Sequence, residues 1–143
     1  MKIQITCTSP ALIPNYQTPG SAAVDLHADI PADVVLHPGQ SRVLGTGISV
    51  AIPTGYVGLV VVRSGLGIKR RTSLSNAVGV IDSDYRGEIL VGLENHGTIS
   101  QTIQPGNRIA QLMFIAAPQV DFETVRTLET TGRGTGGLGS TGA

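Results

Sequence analysis

A chain of 143 residues fits one domain with room for a proper hydrophobic core. Ten acidic and ten basic residues cancel, so no surplus charge steers it onto nucleic acid or an anionic membrane. Cys7 is the single cysteine, which excludes an internal disulfide and a cysteine-rich zinc site, and "MKIQITCTSP" is neither a secretory signal nor a membrane helix, so a cytoplasmic setting is expected.

Aromatic residues make up 3% of the chain and tryptophan is absent, so the core must be built from Val, Ile, Leu and Ala. That composition suits β-sheet packing. In chain order, short and largely β-branched runs follow one another: "IQIT" from Ile3, "AAVDLHA" from Ala22, "VVL" from Val34, "RVLGTGISVAI" from Arg42, "YVGLVVVRS" from Tyr56, "EILVGLEN" from Glu88 and "IAQLMFIA" from Ile109. Turn chemistry separates them at "TPG", "HPG", "PTG", "SDYRG", "ENHG" and "QPGN", where fixed proline φ or glycine at positive φ sets tight turns. The pattern predicts an all-β barrel or sandwich. "SGLGIKRR" from Ser64 is the one candidate for a short helix, with Ser64 as its N-cap. "HPGQ" and "QPGN" have unlike flanks and count as two similar hairpin turns, so there is no internal repeat.

The chain ends in "GRGTGGLGSTGA", where six of the eleven residues from Gly132 to Gly142 are glycine. Successive backbone N–H groups in such a stretch can form an anion-binding nest, and Arg133, Thr135, Ser140 and Thr141 add donors that match phosphate oxygens. A nucleotide-binding P-loop is excluded, because Ser140 stands where that motif needs lysine and no helix can follow. Two readings stay open on these residues alone: a disordered end, or an arm that folds over a phosphorylated ligand.

Four further polar clusters interrupt apolar runs: "GSAAVDL" from Gly20, "RSGLG" from Arg63, "NAVGVIDSDYRGE" from Asn76 and "GNRIAQ" from Gly106. Singly they are weak, since Asp25 can be an outward strand position and Arg63 can cap a strand end in solvent. In "VIDSDYRG", Asp82 directly follows an apolar strand with Tyr85 beside it. The segment is either an Asp-rich hairpin or a hydrolytic arrangement, in which the carboxylate holds and polarises a water while the ring covers a ligand surface.

Taken together, "GSAAVDL", "RSGLG", "NAVGVIDSDYRGE", "GNRIAQ" and "RGTGGLGSTG" resemble, in order and spacing, the five motifs of the trimeric dUTPases, from about Pro19 to the end. The resemblance implies a jelly-roll-like β-barrel or sandwich over residues 1–130, a flexible glycine-rich arm over 131–143, and a homotrimer with shared active sites. It implies hydrolysis of dUTP to dUMP and pyrophosphate by in-line attack of a water that Asp82 orients on the α-phosphorus. Asn76, Gly79 and Ile81 would read the uracil edge, and Tyr85 would pack on the sugar. Arg63, Ser64, Gly65 and Gln111 would hold the phosphates. Arg133, Gly137, Ser140 and Thr141 would close over them from a neighbouring subunit, with Leu138 covering the base. Mg2+ would be held mainly by phosphates and water, with Asp25 as an outer-shell partner.

The chain departs from the family pattern at Leu138, where phenylalanine is usual, at Val62, where proline is common, and at Ala23 and Val24 in the first motif. A dCTP deaminase on the same fold needs a glutamate at the pyrimidine ring, and "IDSDYRG" is instead the dUTPase form. A nucleotide-gated regulatory protein is the other alternative, with "KRRT" at Lys69–Thr72 as its candidate partner surface; a purely structural jelly roll leaves the polar motifs idle. Base–aromatic stacking is worth about 1–3 kcal/mol, so Leu138→Phe is expected to favour arm closure by about tenfold to a hundredfold, read as changed kcat and KM for dUTP. Unchanged values in both constants overturn that expectation.

Overall fold

A computed structural model describes residues 1–137. Its strands are β1 (Gln4–Cys7), β2 (Val24–His27), β3 (Val34–Leu36), β4 (Ser41–Gly45), β5 (Ile48–Ala51), β6 (Tyr56–Val61), β7 (Thr72–Leu74), β8 (Gly79–Ile81), β9 (Leu90–Asn95), β10 (Gln101–Ile103) and β11 (Arg108–Ala116). The largest sheet has the order β2-β11-β6-β8, a second has β4-β9-β7, and β1-β5 and β3-β10 form two-stranded ladders. Every pairing is antiparallel. The expected all-β, jelly-roll-like architecture is the observed one.

Alternation places the core. Along β9 the residues Val91, Leu93 and Asn95 point inward, and Ile48 and Val50 do the same on β5. Ile48, Val50, Val91 and Leu93 meet Leu26, Leu36, Ile89, Ile103, Ile109 and Leu112 in one cluster of fully or nearly fully buried aliphatic side chains. Burying each such side chain is worth about 1.5–3 kcal/mol, and Val, Ile and Leu suffice for the core without tryptophan.

The run "RVLGTGISVAI" is two strands. At Gly47 φ is +66, and a side chain there would sit 2.5 Å from Asp29 Oδ2, so the chain turns at the one residue that tolerates both demands. Glu88 Oε1 holds this turn by accepting from the backbone N–H of Thr46 and Gly47 at 2.9 and 2.8 Å. β7 and β10 span three residues each, too short for periodicity to mark them, and they form against the edges of β9 and β3. The expected short helix is a five-residue wide turn of π type, Gly65–Lys69. Ser64 precedes it in helical conformation and its hydroxyl makes no capping bond, so the N-cap expectation is corrected. The 3₁₀ turn Pro10–Leu12 does carry a hydroxyl cap, from Ser9.

The buried Asn95 ties three segments together. Its Nδ2 donates to the Leu36 carbonyl at 2.9 Å and the Ile99 carbonyl at 2.8 Å, and its Oδ1 accepts from Gly97 N–H at 2.9 Å. Asn95→Ala strands two carbonyls and an N–H, and is expected to lower unfolding free energy by about 2–4 kcal/mol. A shift of the urea midpoint tests this, and an unchanged midpoint overturns it.

Candidate functional site

Four of the five motifs gather into two clusters, one past the C-terminal end of β6 and one on the segment that runs along β6 as β8, and the fifth follows the last strand in sequence. The first cluster centres on Asp25. This side chain is only 2% exposed, which overturns the outward-facing reading of its strand position. Its Oδ1 accepts from Arg63 Nε at 2.8 Å and Gln111 Nε2 at 3.3 Å, while Oδ2 accepts from an Arg108 guanidinium N–H at 3.2 Å. Arg63 is accordingly paired rather than free in solvent. Arg108 is the member that sequence reasoning missed. The signal was present as the arginine of "GNRIAQ", but Arg108 and Gln111 are three residues apart and on a regular strand would face opposite ways.

A β-bulge resolves that conflict. Arg108 pairs with His27 and Ala110 with Leu26, so two steps along β11 match one along β2, and Gln111 arrives opposite Asp25. Ile109 and Ala110 are both buried as a result. Gln111 is also opposite Val61 at the end of β6, just before Arg63, Ser64 and Gly65. A carboxylate buried this far needs partners for its charge, and satisfying it fixes a guanidinium and an amide at one corner beside the exposed Ser64 and Gly65.

The second cluster is the segment from Asn76 to Glu88. Ala77 takes a left-handed φ of 60, and its N–H donates to Leu74 O at 3.2 Å, so the chain reverses at Asn76 and returns as β8. β8 then runs along β6, with Gly79 opposite Val60 and Ile81 opposite Gly58. Gly79 is where a β-carbon would come within 3.0 Å of Val60 Cβ, and Asn76 Nδ2 lies 3.8 Å from the same point. Asp82 follows β8 exposed, and its carbonyl accepts from Tyr85 N–H at 3.2 Å. The Tyr85 hydroxyl donates to the Glu88 carbonyl at 2.9 Å, and the ring lies over Gly87, where a β-carbon would be 2.6 Å from Cζ. Val80, Ile81, Asp82, Tyr85 and Ile89 enclose a hollow of about 200 Å³.

Asp82 and Arg63 stand apart within one chain. Asp82 follows Ile81, which pairs antiparallel with Gly58, so it lies level with Val57, six residues before Arg63. At about 3.3 Å per residue this is ~20 Å.

After Ala117, whose N–H donates to the Gly55 carbonyl at 2.8 Å, the chain leaves the sheets. Arg133 folds on its own turn, donating to the Gly136 carbonyl at 2.9 Å, and Gly137 ends the described chain. Leu138, Ser140 and Thr141 lie outside the described residues. The stretch expected as a partner surface is exposed only through Arg71, because Thr72 is fully buried. No helix among the described residues is long and apolar enough to cross a membrane.

His27 adds a titratable element beneath the Asp25 cluster. Burial lowers its pKa from the usual 6.5, assisted by the Arg108 and Arg63 charges and opposed by Asp25. Its Nδ1 is buried with no hydrogen-bond partner among the described residues. The folded chain therefore resists a proton that the unfolded chain accepts at ordinary pH, so stability is present above pH 6.5 and falls as pH drops below it. His27→Asn is expected to flatten the dependence of the urea midpoint on pH between about 7.5 and 5.5; an unchanged slope overturns the assignment.

The dUTPase family model matches residues 9–142. The deoxyuridine 5'-triphosphate nucleotidohydrolase of Tolumonas auensis is 47% identical over 131 residues, covering 91% of this chain and 87% of the relative. That of Photorhabdus laumondii is 43% identical over 147 residues, covering 99% and 97%. Among solved structures, the Staphylococcus bacteriophage 80alpha dUTPase with dUPNHPP superposes with a TM-score of 0.90 at 26% identity, covering 99% of each chain. A variant dUTPase of phage phi11 of S. aureus, described with a structural Mg(II) ion, shares the fold at a TM-score of 0.81 and 23% identity, covering 91% of this chain and 100% of that one. With the buried carboxylate corner, the aromatic-walled hairpin and a match over nearly its whole length, this chain belongs to the dUTPase family.

Proposed function

We propose that this protein hydrolyses dUTP to dUMP and pyrophosphate, limiting uracil incorporation into DNA and supplying dUMP for thymidylate synthesis in the cytoplasm. The observation that carries the reading is the Asp25 corner, where Arg63 and Gln111 are both bonded to one buried carboxylate next to the exposed Ser64 and Gly65, which supports reading them as a cradle for phosphate oxygens. The names and high identity of the bacterial relatives support the same activity.

In this reading the hairpin receives the nucleoside. Asn76 and the backbone around Gly79 and Ile81 pair with the uracil edge, so cytosine leaves the site's own polar groups unpaired. Tyr85 is held over Gly87 by the Glu88 carbonyl and forms a fixed wall for the sugar, excluding a ribose 2′-hydroxyl. Asp82, exposed at the mouth of the hollow, accepts a proton from a water and aims it at the α-phosphorus; pyrophosphate leaves in line. The ~20 Å between Asp82 and Arg63 along β6 supports a homotrimer, in which the hairpin of one subunit faces the phosphate corner of the next. The arm over residues 131–143 then closes the site: Arg133 exchanges its bond to Gly136 for phosphate oxygens, Gly137, Ser140 and Thr141 add donors, and Leu138 covers the base.

Mg2+ fits this donor set as a passenger of the triphosphate. Among the described residues no group of three or more His, Cys, Asp or Glu side chains stands together, and Asp25 has spent three of its roughly four acceptor positions on Arg63, Gln111 and Arg108. Asp25 has one position left for a metal-bound water, as an outer-shell partner. When bound, the ion neutralises phosphate charge and fixes the chain for displacement.

Product analysis with Mg2+ and, separately, dUTP, dCTP, UTP and dTTP tests the proposal; dUMP and pyrophosphate from dUTP alone are expected, and an intact dUTP overturns it. Asp82→Asn is expected to lower kcat by about 10²- to 10⁴-fold while dUTP binding persists. Near-normal turnover in that variant removes Asp82 from the mechanism.

A further inference from the structure

The wide turn Gly65–Lys69 ends in two cations that the reading above leaves idle. Lys69 and Arg70 are exposed, and neither forms an ion pair among the described residues. They line a groove of about 380 Å³, with Arg63, Arg108 and Asn107 on its walls and the buried Leu66 in its floor. Four cations thus share a concavity into which no carboxylate opens. The one acid that touches any of them among the described residues is Asp25, whose oxygens are already bonded to Arg63 and Arg108.

The cations stand on a fixed base. The Arg70 N–H donates to the Leu66 carbonyl at 3.1 Å, and the Arg70 carbonyl accepts from the hydroxyl of the buried Thr72 at 3.3 Å. Arg71, at a left-handed φ of 54 with its carbonyl accepting from His96 N–H at 2.8 Å, turns the chain away and does not line the groove. Confining like charges in this way costs stability unless an anion compensates them. Guanidinium forks beside an ammonium bind oxyanions, four cations around one concavity favour an anion of high charge, and the mainly polar wall disfavours a nucleobase.

We infer that this groove binds free inorganic pyrophosphate, next to the phosphate corner with which it shares Arg63 and Gly65. The inference rests on the proposed dUTPase reaction for its ligand. It gives the leaving group a station outside the hairpin and makes pyrophosphate a product inhibitor held by Lys69 and Arg70.

Calorimetric titration of the full chain with inorganic pyrophosphate, together with pyrophosphate inhibition of dUTP turnover, tests it. The double variant Lys69→Gln, Arg70→Gln is expected to weaken pyrophosphate binding by about tenfold or more, from the loss of two charge-assisted contacts, while kcat without added pyrophosphate stays unchanged. Arg71→Gln removes a neighbouring charge outside the groove and should leave binding as in the parent. No pyrophosphate binding by the parent, unchanged binding in the double variant, or an equal loss in Arg71→Gln overturns the inference. ATP competing as well as pyrophosphate overturns the assignment to the free anion. If pyrophosphate binds through Lys69 and Arg70 but dUTP is not cleaved, the groove stands and the proposed reaction falls.

Discussion

The structure of the site depends on one buried carboxylate. Asp25 is enclosed by β-sheet, and an unpaired negative charge there would cost more than most single interactions can return. Its partners come from three directions: Arg63 from beyond β6, Arg108 and Gln111 from either side of a bulge in β11. A buried ion pair is weak evidence for stability, but it is a strict geometric demand. Meeting it orders two guanidiniums and an amide before any ligand arrives, and such advance ordering is what a phosphate cradle needs.

β6 acts as the spacer between Arg63 and Asp82. Its far end carries Arg63 and its near end pairs with the strand that delivers Asp82. Along that strand Asp82 and Arg63 of one chain stand ~20 Å apart. The short pairing of Gly79–Ile81 along β6 is therefore as much a positioning element as a structural one.

Most of this was legible in the sequence where chemistry is local, and illegible where it is relational. The Pro-Gly turns, the aliphatic runs and the polar motifs could be read residue by residue, and Asp82 and Tyr85 stood out because they over-serve an ordinary turn. Asp25 did not, since between Val24 and Leu26 its alternation suits either face; only the donors from β6 and β11, some 38 and 86 residues away, decide the matter. Arg108 was hidden by the bulge, which breaks the period of two that strand reading relies on. Ser64 has the composition of a helix cap but the backbone of a helix interior, so its hydroxyl stays uncommitted. Three-residue strands such as β7 and β10 carry too little periodicity to be seen before their partners are known.

The wall of the hairpin hollow has a property that follows from what holds it. Tyr85 is fastened to the main-chain carbonyl of Glu88 and seated on Gly87, so its orientation is written in the backbone and not in any neighbouring side chain. The Glu88 carboxylate faces a different task, the turn at Thr46 and Gly47. A substitution at position 88 can therefore loosen the turn at Thr46 and Gly47 while the Tyr85 ring keeps its bond to the main chain.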